Sequence, residues 1–191
     1  MPTTPQPARR SDSQRNRDTI LSVAQELLSE NAATSLSEIA RRSGVGPATL
    51  YRHFPDRRAL LTALSQDNLE ELEQAVASVP EDDPDRFEHV LVQVSLTLAR
   101  CAPLTRILLD ERLTSAGTAA AVRVESLFEP VLRQSQSLGT VRRDAETSDV
   151  MFVLNMIQAA IATADDATGR TAAARRAVRV VLPSFLAPPG E

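Results

Sequence analysis

Tryptophan and lysine are missing from this 191-residue chain, cysteine and tyrosine occur once each, and histidine occurs twice. Each scarcity excludes something. A single cysteine, Cys101, rules out an internal disulfide and suits a reducing cytoplasm. With His53 and His89 as the only histidines, no metal-ligand cluster can be read, and no metal or cofactor is expected. No glycine-rich phosphate loop occurs, and Cys101 has no base beside it in sequence, so the chain is not expected to be an enzyme. No run of 18 apolar residues and no basic-then-apolar N-terminus is present, so neither a membrane span nor a signal peptide is expected. All 21 basic residues are arginine, a bias read as genomic base composition, although arginine is also the better fork for phosphate.

What is present is helical. The hydrophobic fraction is an ordinary 42%, aromatics make up 3%, and alanine and leucine abound. That points to an all-α globular chain. Its length suits one compact domain with an appendage, or two small ones. The net charge of −4 argues against a nucleic-acid partner until its distribution is read. Residues 1–60 hold nine arginines against six carboxylates, a balance of +3, and residues 61–191 hold twelve against nineteen, a balance of −7. Positive potential is confined to one end, though an asymmetry of this size also arises by chance.

Residues 1–12 (MPTTPQPARRSD) lack an apolar period and read as a disordered arm. From about Ser13 a first helix carries Ile20, Leu21, Val23, Ala24, Leu27 and Leu28 on one stripe. Ser35-Leu36-Ser37-Glu38 has the form of a capping box opening a short second helix, and Gly44 is placed to close it. Gly46-Pro47 starts a third helix, because proline at a first helical position sacrifices no hydrogen bond. Phe54-Pro55 stops it, and Asp56 caps a fourth over about 57–79. Pro80 to Asp85 forms a turn, and further helices are expected near 85–101, 103–113, 116–137, 147–164 and 169–186. The resulting division is an arm (1–12), a helix-turn-helix domain (13–60) and a helical body (61–187).

Residues 36–54, LSEIARRSGVGPATLYRHF, carry the functional signal. Two short helices that cross closely through a tight turn need a small residue on the first, and Ala40 provides it. The turn needs a residue tolerant of positive φ, and Gly44 stands four residues later. Ile39, Val45, Leu50 and Phe54 form the apolar wedge between them. Thr49, Tyr51, Arg52 and His53 then offer hydroxyl, phenol, guanidinium and imidazole groups suited to phosphate oxygens. Gly46, Pro47 and Ala48 leave a small surface that can approach base edges in a major groove. Tyr51 could instead be a packing residue, and His53 an ordinary capping one. Arg41 and Arg42 read as solvated charges.

The pattern Ile39-Ala40, Gly44-Val45, Thr49-Leu50-Tyr51, His53-Phe54, Pro55-Asp56-Arg57 resembles the signature of the TetR family of bacterial regulators, over roughly residues 15–64. Two departures stand out: Gly46 replaces a frequent serine, and Arg57 replaces a common lysine. The resemblance implies a TetR-like fold, an N-terminal three-helix DNA-binding domain followed by a helical bundle for dimerisation and ligand binding. It implies backbone contacts from Thr49, Tyr51, His53 and Arg57, and from Thr34 or Ser35. Pro47 and Ala48 would face bases, Arg52 either, and Arg15 and Arg17 would add backbone contacts.

The same resemblance assigns the C-terminal helices to dimerisation and effector binding. Val150–Ile157 is apolar nearly all round, and Ala173, Ala177, Val178, Val181, Leu182 and Phe185 repeat at helical spacing. These two helices are expected to form half of a four-helix homodimer interface; a monomer that covers both faces itself is the plainer reading. Two recognition helices about 34–36 Å apart would read a pseudo-palindromic duplex. Candidate lining residues for an effector are Phe87, Gln93, Arg106, Phe128, Met151, Asn155 and Gln158, with buried Gln93 or Asn155 needing a partner. The expected function is a repressor released from DNA by a small molecule. Activation, a protein-docking role without ligand control, and redox sensing through Cys101 are the competing readings.

Overall fold

The computed structural model describes the backbone of residues 7–110 and 114–188, and side chains over 12–110 and 121–188. The chain divides into two compact units, Met1–Gln66 and Asp67–Glu191.

The N-terminal unit holds α1 (Pro7–Glu30), α2 (Leu36–Arg42), α3 (Pro47–His53) and the first part of α4 (Arg57–Ala77). Its buried residues are Ile20, Leu21, Ala24, Leu27 and Leu28 of the α1 stripe, with Val23 half-buried, together with Ile39, Ala40, Leu50, Phe54, Leu60, Leu61 and Leu64; α1 packs on α2 and α3. Burying each of the leucine, isoleucine and phenylalanine side chains contributes about 1.5–3 kcal/mol. Val45 is half-buried in the turn. α1 begins earlier than Ser13, so residues 7–12 are helical and not part of an irregular arm; residues 1–6 of that arm lie outside the described residues. Pro7 suits a helix start, and local pairs support the first turns: Arg15 with Asp12 at 3.4 Å and Gln14 with Asp18 at 2.7 Å.

The second unit contains the rest of α4, then α5 (Arg86–Asp110), α6 (Thr114–Ser137), α7 (Thr147–Ala162) and α8 (Ala167–Val181). α5 packs on α6, α7 and α8, and α8 also packs on α7. Phe87, Val90, Leu91 and Val94 of α5 meet Phe128, Val131 and Leu132 of α6, Val150, Leu154 and Ile157 of α7, and Ala174 and Val178 of α8. The Phe87 and Phe185 rings lie 5.0 Å apart. An 18-residue window of α5 has the length and mean hydropathy, 1.2, of a membrane span, yet half of it is buried inside the protein.

In this unit two further expected boundaries are overturned. Residues 85–101 and 103–113 are not separate helices, because α5 runs through Pro103 to Asp110; residues 111–113 lie outside the described residues. Proline removes the N–H that would bond the Ala99 carbonyl. That carbonyl instead accepts a hydrogen bond from Arg170 Nε of α8 at 3.3 Å, a partner 71 residues away that no local reading supplies. The last helix ends at Val181 and not near 186, since Leu182-Pro183-Ser184 tightens into a 3-10 turn. Beyond it Leu186 pairs with Val141 in an isolated antiparallel bridge, Arg142 N–H donating to Phe185 O (2.9 Å) and Ala187 N–H to Thr140 O (3.1 Å). Arg142 also donates through Nε to Ser184 O at 2.8 Å, fastening the end of the chain to the α6–α7 connection.

Candidate nucleic-acid interface

Local chemistry shapes the α2–α3 pair. Ser35 caps α2, its hydroxyl oxygen accepting from Glu38 N–H at 3.2 Å. Ser43 and Gly44 end the helix, Gly44 at φ +68°, and Val45 N–H returns to Ala40 O at 3.2 Å. Only glycine enters that left-handed conformation without strain. Gly46, by contrast, sits at φ −65° in extended backbone open to any residue, and caps α3 with no side-chain bond. Asp56 caps α4, its Oδ1 accepting from Ala59 N–H at 2.7 Å.

Leu50 turns inward and Thr49 is half-buried, while Gly46, Pro47, Ala48, Tyr51 and Arg52 are exposed, Tyr51 at 47%. α3 therefore presents a small leading edge flanked by a phenol and a guanidinium. Arg52 borders an open groove of about 380 Å³ with Asp12, Ser13 and Asn16 of α1. Ser13 was read only as a helix start and Asn16 was not singled out; their positions two turns and one turn ahead of Ile20 were the only signal. Arg41, read as a solvated charge, forks onto Glu38 at 2.8 and 2.5 Å.

The other expected contacts are arranged differently. His53 packs beside Phe54 with its Nε2 buried and, among the described residues, unpartnered; burial, then Arg52 and Arg17, lower its pKa, favouring neutral imidazole. Arg17 lies over the Phe54 ring at 5.9 Å, and Arg15 is exposed beside Asp12. The Thr34 hydroxyl is buried and donates to Asn31 O at 2.8 Å, leaving Ser35 as the exposed hydroxyl there. Arg57 donates to two carbonyls, Thr34 O at 2.9 Å and Ala32 O at 2.5 Å.

The seven effector candidates fall into different environments. Phe87 and Phe128 are spent on the core, and Met151 is half-buried against it. Gln93, Arg106, Asn155 and Gln158 are exposed, so the expectation of a buried Gln93 or Asn155 does not hold. Water satisfies them, and no internal partner is required. Cys101 is buried, and desolvation pushes its thiol up to about 12, which leaves it an unreactive thiol at neutral pH.

Two short helices joined through a positive-φ glycine, the second exposing a small edge flanked by a cation, define a helix-turn-helix DNA-binding protein. The pattern of "Bacterial regulatory proteins, tetR family" matches residues 20–64. The nucleoid occlusion factor SlmA of Aliivibrio fischeri is 31% identical over 131 residues, 62% of this chain and 67% of that protein. An HTH-type transcriptional regulator of Mycobacterium tuberculosis is 30% identical over 142 residues, 69% of this chain and 71% of the other. A TetR regulator from Mycobacterium vanbaalenii superposes with a TM-score of 0.68 at 25% identity, over 93% of this chain and 98% of that one. The chain belongs to the TetR family and is a DNA-binding transcriptional regulator.

Proposed function

We propose that the chain acts as a homodimeric repressor on a pseudo-palindromic operator in the bacterial cytoplasm, and that a small molecule releases it. The observation that carries the operator reading is the exposed edge of α3, mounted on the buried side chains of Leu50 and Phe54. In this reading Pro47 and Ala48 approach bases, while Thr49, Tyr51, Arg52, Ser35 and Arg15 serve phosphates. His53 contributes as a neutral ring that supports α3.

Dimerisation through α7 and α8 is supported by large apolar side chains left in solvent: Phe152 at 68%, Met156 at 49% and Val180 at 72% exposure. Met156 and Val180 border an open groove of about 480 Å³ between the two helices, lined also by Ile157, Ala160, Ala173, Ala177 and Val181. A monomer rarely leaves such a patch uncovered. Release by an effector rests on family membership, since the exposed Gln93, Arg106, Asn155 and Gln158 do not form an enclosed pocket. A coupling of about 1–3 kcal/mol would lower operator affinity roughly 5- to 150-fold.

The test is fluorescence anisotropy against duplex from upstream of the coding region, beside a scrambled duplex, at several salt concentrations. Specific binding that weakens roughly 10³–10⁵-fold between 50 and 200 mM salt is expected for six to ten phosphate contacts. Equal binding to both duplexes, and to every duplex in a random-sequence selection, would sink the operator reading. Charging the apolar face with Phe152→Glu and Val180→Glu should yield a monomer by sedimentation and abolish tight operator binding.

A further inference from the structure

Arg57 occupies the position from which the family resemblance sends a cation to phosphate, yet its guanidinium is already committed elsewhere. One terminal nitrogen donates to Thr34 O at 2.9 Å and the other to Ala32 O at 2.5 Å, so the fork bridges α4 to the loop between α1 and α2. The loop itself is wound tightly about Asn31. Its side-chain oxygen accepts from Ala33 N–H at 3.0 Å, and its carbonyl accepts from Thr34 N–H at 3.0 Å and from the Thr34 hydroxyl at 2.8 Å. Those bonds use the Ala33 and Thr34 N–H groups and the Thr34 hydroxyl, while the Ala32 and Thr34 carbonyls accept from Arg57. Thr34 is followed at once by Ser35, the residue that caps α2. The chain of contacts therefore runs from α4 through Arg57 to the loop, then through Ser35 to α2 and the turn that aims α3.

We propose that Arg57 is a positioning residue, clamping the α1–α2 loop to the start of α4 so that the helix-turn-helix is preset for the duplex, and that it does not itself bind phosphate. The planar fork suits two carbonyls at once, which a single ammonium at the end of a shorter stem does not reproduce. Swinging out to DNA would break two charge-assisted hydrogen bonds and leave both carbonyls without their donors. Arg52 makes the contrast: it is exposed on α3 and is the cation expected to serve phosphate directly. The inference rests on the duplex reading of α3, and one of its tests needs no DNA.

The experiment compares R57K, R57Q and R52Q with wild type in two measurements. In the free protein, amide hydrogen exchange over residues 33–38 should quicken in R57Q and R57K and stay unchanged in R52Q. On the operator duplex, R57K and R57Q should both lose about tenfold or more in affinity with the slope of log K against log salt preserved. R52Q should flatten that slope by roughly 0.9, the signature of one lost phosphate contact. Wild-type affinity in R57K, a slope flattened by R57Q, or unaltered exchange in both Arg57 variants would each overturn the clamp. R57K carries the decision if R57Q does not fold. Failure of wild type to bind any duplex would count against the operator reading, while the exchange measurement would still decide the clamp.

Discussion

The seven-residue helices α2 and α3 are held by caps, a glycine turn and an arginine fork, whereas the body's helices, 15 to 25 residues long, are held by interdigitated side chains. In the first region each constraint is satisfied within a few residues, or by one clamp from the next helix. In the second the decisive partners lie far apart in sequence, as Arg170 does from Ala99 and Leu186 from Val141. A short-range architecture fixes the aim of α3, and a long-range one provides faces for packing and assembly.

The sharpest way to separate the regions is to hollow each core in turn. Phe128→Ala should cost about 3–5 kcal/mol and Leu50→Ala about 2–5 kcal/mol, since both side chains are 0% exposed. Exchange measurements should confine the Leu50→Ala loosening to the N-terminal unit, with the dimer intact by sedimentation. A Leu50→Ala protein that falls apart into monomers would break the comparison.

A smaller effect probes the body's long-range logic. Arg170→Ala should cost about 1–3 kcal/mol in urea unfolding by orphaning the Ala99 carbonyl. In a Pro103→Ala background the same change should cost little, because residue 103 then supplies the missing N–H. Equal losses in both backgrounds would mean that Arg170 acts through something other than the proline gap.

The two neighbouring glycines probe the turn with opposite signs. Gly44→Ala should lose about 1–2 kcal/mol from its left-handed backbone alone, there being no heavy atom within 4 Å of an added Cβ. Gly46→Ser should gain a few tenths of a kcal/mol as a better helix cap. Paired thermal melts decide both.

The smallest effect is the pH response of the two histidines. His89 pairs with Asp83 at 2.6 Å, and its pKa is raised chiefly by that hydrogen bond, with burial by the protein opposing and Asp83, Glu88 and Asp85 adding charge. Its stabilisation is present below the unfolded pKa and lost as pH rises through the folded value. His53 is shifted down, so its contribution is present above the unfolded pKa and lost as pH falls through the folded value. His89→Ala should therefore cost stability at low pH and less at high pH, and His53→Ala should show the reverse trend. Denaturant midpoints between about pH 5 and 8 would reveal matching slopes if the pairing is irrelevant.

Legibility followed the same division. Ala40, Gly44, Leu50 and Phe54 could be placed from spacing alone because a helix period and a turn are local rules, and their roles hold in the structure. The cations were harder. Spacing marked Arg57 and Arg17 as cations near the duplex-facing helices, but where an arginine's fork rests in the free protein depends on which carbonyl or ring a distant segment brings within reach. Pro103 read as a helix break for the same reason, its compensation lying on α8. Gln93 and Asn155 read as pocket groups because helical spacing does not tell which face a neighbouring helix will cover.

The sequence by itself determined the helical class, the N-terminal helix-turn-helix and the apolar edges of α7 and α8, because periodicity, caps and glycine conformations act over a handful of bonds. Only the tertiary structure decided that α5 is continuous, that the Thr34 hydroxyl and Cys101 are buried, and that Arg57 grips a loop. Those outcomes depend on which groups separate segments bring to each other, and desolvation or hydrogen bonding there is settled by packing, not by order along the chain.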